Sequence, residues 1–278
     1  MVHLKLHSGM GNQLFQYSFA LFATKQLNTF SLISIQRKSK FKLYYFRLTF
    51  PWNLLSYGTY IQRLNNYLLN KLTLRNEIFF QSVSDESFST EIFKNKCTYE
   101  GYFQDKNIAE SLRPILLRHF RVKNKFYTSF KKTYPFFGYK KVLVVHIRLG
   151  DYENLITEIN GKKIKWMLPV EWYLKIIKEE MGFHERILIL SDDPKKAKEL
   201  LKLEENIQVI YSHANEIIDF LSLVNANTCI ISNSSFAWWG AFLNEVPEKK
   251  IIAPINWVGH NAGFEYPKGI MTKHFTWV

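Results

Sequence analysis

The chain of 278 residues exceeds the usual single-domain size, and its 47% hydrophobic and 16% aromatic content is enough for packed cores and excludes a disordered chain. No run of 18 uncharged apolar residues occurs, and Met1-Val2-His3-Leu4-Lys5 does not open a signal peptide, so a soluble cytoplasmic protein of two domains is expected. Cys97 and Cys229 lie far apart in apolar surroundings without a CxxC or Cys/His cluster, so they are expected to be reduced core residues, and no metal site is expected.

The net charge of +13 is uneven. Residues 1–140 carry 21 Lys+Arg against 7 Asp+Glu, whereas residues 141–278 carry 16 against 17. Much of the excess lies at Arg37, Lys38, Lys40, Lys42 and Arg47, interleaved with Phe41, Tyr44, Tyr45, Phe46, Phe50 and Trp52. Such a surface suits the anionic inner face of a membrane, and nucleic acid would be drawn by the same field.

In chain order, Val2-His3-Leu4-Lys5-Leu6 alternates as a first strand and runs into Ser8-Gly9-Met10-Gly11-Asn12-Gln13. The apolar series Leu14, Phe15, Tyr17, Ala20, Leu21 and Ala23 predicts a helix of about four turns. A strand, a glycine turn and a helix N-terminus can present N–H groups to an anion or a sugar hydroxyl, and they can equally be a plain tight turn. The dinucleotide fingerprint is incomplete, since a third glycine and a following acid are missing.

Residues 30–95 are aromatic, basic and poorly periodic, with one helix expected over Tyr60–Leu74. A strand is expected within Lys96–Phe103, followed by a helix capped at Asp105 or Asn107. Pro135 and Gly138 punctuate the approach to the second half, so the domain boundary is placed near residue 135.

The second half reads as repeated strand and helix units. Val142 to Val145 form a run buried on both faces, hence a central parallel strand, and it ends in His146-Ile147-Arg148-Leu149-Gly150-Asp151-Tyr152. A loop of about 17 residues is expected next, then a helix over Val170–Met181 and a strand Arg186–Leu190 ending in Ser191-Asp192-Asp193-Pro194. Further elements are helices at Pro194–Leu203 and Glu216–Val224, a strand at Thr228–Ile231, and a helix entered through Ser232-Asn233-Ser234-Ser235-Phe236-Ala237-Trp238-Trp239-Gly240. A strand at Lys250–Ala253 completes a doubly wound α/β pattern.

Three buried strands therefore end in polar clusters, and parallel strands bring such ends to one edge of a sheet, where open α/β sheets bind ligands. Arg148 offers a bidentate contact to phosphate oxygens. Asp192 and Asp193 could accept from a purine such as guanine or cap the following helix. Ser234 and Ser235 offer donors at a helix N-terminus, Phe236 could pack on a base, and Trp238-Trp239 reads as core.

The motifs Gly9-Met10-Gly11-Asn12-Gln13-Leu14-Phe15-Gln16-Tyr17, Gly101-Tyr102-Phe103-Gln104, His146 to Tyr152, Ser191-Asp192-Asp193 and Ser232 to Ala241 resemble, in order, those of the α-1,2-fucosyltransferases of glycosyltransferase family 11. The resemblance implies a GT-B-like architecture of two Rossmann-like domains facing a cleft. Residues 1–135 would form the acceptor side and 136–278 the nucleotide-sugar domain, with the last 20 or so residues packing back on the first.

It implies inverting transfer of fucose from GDP-fucose to a galactoside hydroxyl such as O2, with neither metal nor other cofactor. Arg148 and Asn12 would be catalytic. Gly9, Gly11, His146, Asp151, Asp192, Asp193, Ser234, Ser235 and Phe236 would bind the donor. The acceptor would be a galactose-containing oligosaccharide or lipid-linked glycan, met by a cytoplasmic enzyme in peripheral contact with the inner membrane; nucleic acid is not expected as a partner. The family usually carries a second arginine where this chain has Leu149, which by the sequence alone removes one cationic contact. A different GDP-sugar or linkage, or an inactive homologue, is the alternative.

Overall fold

The computed structural model describes residues 1–36, 38–48, 53–55, 76–81, 93–204 and 208–278. The chain divides into two compact units. The first comprises Met1–Val122 with Pro267–Ile270, and the second Lys123–Tyr266 with Met271–Val278.

The first unit is built on a parallel sheet of order β3-β2-β1-β5-β4, with β1 (Val2–Leu6) central, β2 (Ser31–Ile35) and β5 (Cys97–Gly101) beside it, and β3 (Asn53–Leu55) and β4 (Asn76–Gln81) at the edges. Helix α1 (Met10–Gln26) is apolar on nearly every side, and it packs on β1 and on α2 (Lys106–His119). Its Phe19 stacks on Phe103 at 3.9 Å between centroids. Asp105 is the cap that starts α2, accepting from the N–H groups of Asn107 and Ile108. β2 lies in the stretch that lacks periodicity in the sequence. The helix expected over Tyr60–Leu74 lies outside the described residues, as do Arg37, Phe50 and Trp52 of the basic stretch. Within that stretch Tyr45 and Phe46 are buried, Phe46 against Phe120, so they serve the core; Tyr44 is exposed.

The second unit is built on a six-stranded parallel sheet of order β10-β9-β6-β11-β12-β13. β6 (Val142–Ile147) is buried throughout, with β9 (Arg186–Ser191) on one side and β11 (Thr228–Ile230) on the other. β10 (Val209–Tyr211) and β12 (Lys250–Ala253) follow outward, and β13 (Thr276–Trp277) adds an edge that the sequence pattern does not announce. Leu143, Val145, Ile147 and Leu149 form one core with α4 (Val170–Glu180) and α5 (Pro194–Leu201). Helices α6 (Glu216–Val224) and α7 (Ser235–Phe242) pack against each other.

The division falls between Val122 and Lys123, ahead of residue 135, because α3 (Asn124–Thr133) docks on α6. Tyr127 donates to Asn225, and the adjoining Tyr134 to Ser212 at 2.8 Å. Of the last twenty residues only Pro267–Ile270 group with the first unit, where the Gly269 carbonyl accepts from Lys106 N–H.

The loop expected after the central strand is instead an antiparallel hairpin of β7 (Ile156–Ile159) and β8 (Lys162–Lys165). Asn160 and Gly161 turn it with φ of 52° and 72°, the left-handed pair that a two-residue hairpin turn requires.

Candidate functional site

Register decides which polar groups meet. β6 pairs with β9 through Ile147 and Ser191 and with β11 through Val145 and Ile230, so the three polar strand ends are direct neighbours on one edge of the second sheet. Arg148, one residue past β6, is the centre of the cluster. Its Nε donates to Asp151 Oδ1 at 3.0 Å, Nη2 stands 2.7 Å from the same oxygen, and Nη1 lies 3.3 Å from Asp192 Oδ2. A guanidinium has five N–H donors, more than these two carboxylate oxygens take up, and its Nη1/Nη2 edge is the kind of fork that matches two oxygens of a phosphate.

Asp192 is held on its other side, where Oδ1 accepts from Leu149 N–H at 2.9 Å. The same carboxylate explains the glycine that follows: a Cβ at Gly150 would stand 2.3 Å from Asp192 Oδ2. Asp193 performs a different task, accepting from Lys196 N–H at 3.1 Å as the cap of α5. Of the two readings open for this pair, the cap belongs to Asp193, and Asp192 belongs to the arginine cluster.

Leu149 is 1% exposed and its side chain joins the core of Val145, Ile147 and Tyr173. Position 149 thus points into the apolar core while Arg148 carries the cluster. The leucine does not leave a gap in the cluster around Arg148, as the sequence alone suggests.

His146 is buried, and its Nδ1 lies 2.8 Å from Ser232 Oγ. Burial, aided by the Arg148 charge, lowers its pKa to about 3, so the ring is neutral. Phe236 stands 5.6 Å from the His146 ring and the same distance from Phe220, so part of its surface belongs to the core. Ser234 sits at the N-cap of α7 without using its hydroxyl as a cap, which leaves that hydroxyl and the first N–H groups of the helix at the strand-end edge beside Ser235. Trp238 and Trp239 are fully buried, as core residues.

Sequence reasoning missed two contributors. Ser232 anchors His146, its Oγ 2.8 Å from the ring Nδ1. Asn233, 2% exposed, donates to the Trp166 carbonyl at 2.7 Å and so ties the new hairpin to the end of β11. The Asn160-Gly161 dipeptide was the available signal for the hairpin; Ser232 carried none beyond its motif.

Gly9, Gly11 and Asn12 lie in the first unit. Gly9 precedes α1 in extended backbone, φ −76° and ψ 177°, with nothing within 4 Å of a Cβ placed there, so the chain itself does not require glycine at that position. Asn12 Oδ1 accepts from Gln104 Nε2 at 2.9 Å. Among the described residues no group of three or more His, Cys, Asp and Glu could hold a metal ion.

A sequence profile described as glycosyl transferase family 11 matches residues 1–277. The chain is 28% identical to an O-antigen biosynthesis glycosyltransferase, WbnK, of Escherichia coli, over 92% of this chain and 94% of that one. It is 25% identical to an alpha-1,2-colitosyltransferase of Escherichia coli, over 92% of each. Among solved structures it is similar to POFUT1 in complex with GDP, with a TM-score of 0.59 at 11% identity over 91% of this chain and 97% of that one. NodZ alpha-1,6-fucosyltransferase co-crystallised with GDP gives 0.54 at 12% over 87% and 92%. These structural likenesses show the GT-B-like α/β fold of parallel sheets. With the profile spanning nearly every residue, the chain belongs to glycosyl transferase family 11.

Proposed function

We propose that the protein transfers L-fucose from GDP-fucose, with inversion, to a galactoside hydroxyl, O2 by preference. The observation that carries the reading is the Arg148 guanidinium, held between Asp151 and Asp192 at the edge where three strand ends meet. Departure of GDP builds negative charge on the β-phosphate as the sugar becomes oxocarbenium-like, and a fixed guanidinium stabilises that charge at no cost in reorganisation. The N–H groups at the start of α7 and the Ser234 and Ser235 hydroxyls bind the remaining phosphate oxygens, and Phe236 lies against the base.

The GDP complexes of the structural neighbours support a GDP-sugar donor. The linkage in one relative's name and the O-antigen role in the other's support O2 and a polysaccharide acceptor, lipid-linked or free. The colitosyltransferase also favours a second reading, a GDP-sugar related to GDP-fucose. A contribution from Gly9, Gly11 and Asn12 rests on the shared motif. Location is proposed as cytoplasmic, with Lys38, Lys40, Lys42 and exposed Tyr44 meeting anionic lipid; sedimentation with phosphatidylglycerol vesicles but not with phosphatidylcholine vesicles is the expected result.

The test is a panel of GDP-sugars offered with galactosides, read by released GDP and by linkage analysis of the product. GDP-fucose giving an α-1,2-linked product supports the proposal. Transfer from another GDP-sugar alone selects the second reading, and absence of transfer from every donor overturns both.

A further inference from the structure

We propose that Tyr152 is a positioning residue for Arg148: its ring braces the guanidinium that the two carboxylates hold by its nitrogens, and so fixes where the Nη1/Nη2 edge points. The evidence is a series of contacts that runs from the hairpin to the arginine. The 3-10 turn Gly150–Tyr152, closed by Tyr152 N–H donating to the Leu149 carbonyl at 2.7 Å, brings residues 151 and 152 back beside Arg148. Asp151 thereby meets the guanidinium nitrogens, and Arg148 Cζ stands over the Tyr152 ring, 5.5 Å from its centroid.

Of the contacts to Asp151, Asp192 and Tyr152, the ring is the most firmly held. The Asp151 side chain is 63% exposed, and an exposed ion pair holds a long side chain weakly. Asp192 is anchored by Leu149 N–H and reaches Nη1 at 3.3 Å. Tyr152 is fixed from the side of the hairpin. Trp166 meets its ring edge-to-face, with 5.2 Å between centroids and 77° between planes, and its hydroxyl makes a long hydrogen bond of 3.4 Å to the Asn233 carbonyl.

Trp166 is in turn paired at all three of its polar groups. Its backbone N–H donates to the Leu155 carbonyl at 3.1 Å, its indole N–H to Thr157 Oγ1 at 3.0 Å, and its carbonyl accepts from buried Asn233 at 2.7 Å. Thr157 stands opposite buried Ile164 in the hairpin ladder. A cation over an aromatic face is attracted to it, and a face held this firmly gives the guanidinium one direction before any ligand arrives. An electrostatic clamp depends on that kind of preorganisation. That the braced edge meets the diphosphate rests on the function proposed above; the bracing itself does not.

The test has two readouts on the full-length protein. The first uses no ligand: NMR of protein labelled with 13C,15N arginine gives the rate of rotation about the Arg148 Nε–Cζ bond, the signals being assigned by their loss in Arg148→Lys. Tyr152→Leu and Tyr152→Met, two ringless replacements of different shape, should raise that rate about two- to fivefold, and Tyr152→Phe, which keeps the ring, should restore it. The second is calorimetric titration of GDP. Either ringless variant should weaken binding about two- to fivefold in the wild-type background and no further in Arg148→Ala, since a residue that acts through Arg148 has no effect without it.

An unchanged rotation rate in a folded ringless variant overturns the inference. So does a loss of GDP affinity of equal size with and without Arg148, the mark of a tyrosine that only packs the hairpin. A wrong donor reading looks different: the rotation rate responds to the loss of the ring, while Arg148→Ala binds GDP as tightly as the wild type.

Discussion

At the end of β1 the chain uses its own polar groups. Gln13, fully buried, donates to the carbonyls of Ser8 and Lys40 at 3.0 and 2.7 Å and accepts from Lys42 N–H. Gln16, equally buried, accepts from His7 N–H and donates to the Gly101 carbonyl. At the end of β6 the pattern is reversed: Arg148 keeps N–H donors on its Nη1/Nη2 edge, Ser234 a hydroxyl that does not cap, and His146 a ring nitrogen without a side-chain partner among the described residues. Both places read alike in the sequence, as a strand, a polar turn and a helix. What separates them is whether the polar groups have partners within their own unit, and an unfilled valence marks chemistry where a filled one marks architecture.

The comparison predicts that mutations at the two places fail in different ways. Arg148→Ala should lower turnover by about 10²–10³ or more while the thermal midpoint stays near that of the wild type, measured by GDP release and calorimetry on the same preparation. Gln16→Ala should do the opposite. It strands the His7 N–H and the Gly101 carbonyl, so denaturant unfolding should show a loss of about 2 kcal/mol or more, with turnover per folded molecule nearly unchanged. Should Gln16→Ala abolish turnover in fully folded protein, the division between the two strand ends is wrong.

A smaller effect concerns pH. Burial pushes the Asp219 carboxyl up to about 7, although Ser212 donates to it, and Tyr134 in turn donates to Ser212. Its folded pKa is thus raised above the unfolded value. The group contributes stability fully below the unfolded carboxylate range, and that contribution is lost as pH rises through about 7. Melting followed between pH about 5 and about 8 should decline in the wild type, and Asp219→Asn should lack that component. The smallest change is expected at Asp193, whose replacement by Ala should cost about 1 kcal/mol through the lost cap of α5 and leave donor KM in place, in contrast to Asp192→Ala.

Much of the second unit was legible because its strands are aliphatic runs buried on both faces, each stopped by a polar cluster. The sequence could not say that β9 and β11 flank β6, since neighbour order is a matter of topology. Nor could it divide Asp192 from Asp193, because both stand before a helix and only geometry tells which one reaches Lys196 N–H. Leu149 looked like a missing cation and is a core residue; the turn past β6 sends its side chain back onto α4 and α5, a direction that strand alternation alone does not reveal. The hairpin was hidden by Lys162, Lys163 and Lys165, which mask the alternation on one strand although Asn160-Gly161 marks the turn. In the first unit β2 escaped because its serines, Ser31 and Ser34, dilute a short apolar strand. Ser34 is there to bond His3, which bridges to Thr98 on β5.

The claim that the β6 edge binds the nucleotide diphosphate through Arg148 is tested most directly by titrating GDP into the wild-type protein, Arg148→Ala and Gln16→Ala in a calorimeter, below the melting point of all three. The account predicts binding to wild type, affinity for Gln16→Ala within a few-fold of it, and a loss of about tenfold or more in Arg148→Ala, the scale of one charge-assisted hydrogen-bond pair. Wild-type affinity for GDP in a folded Arg148→Ala protein would contradict it.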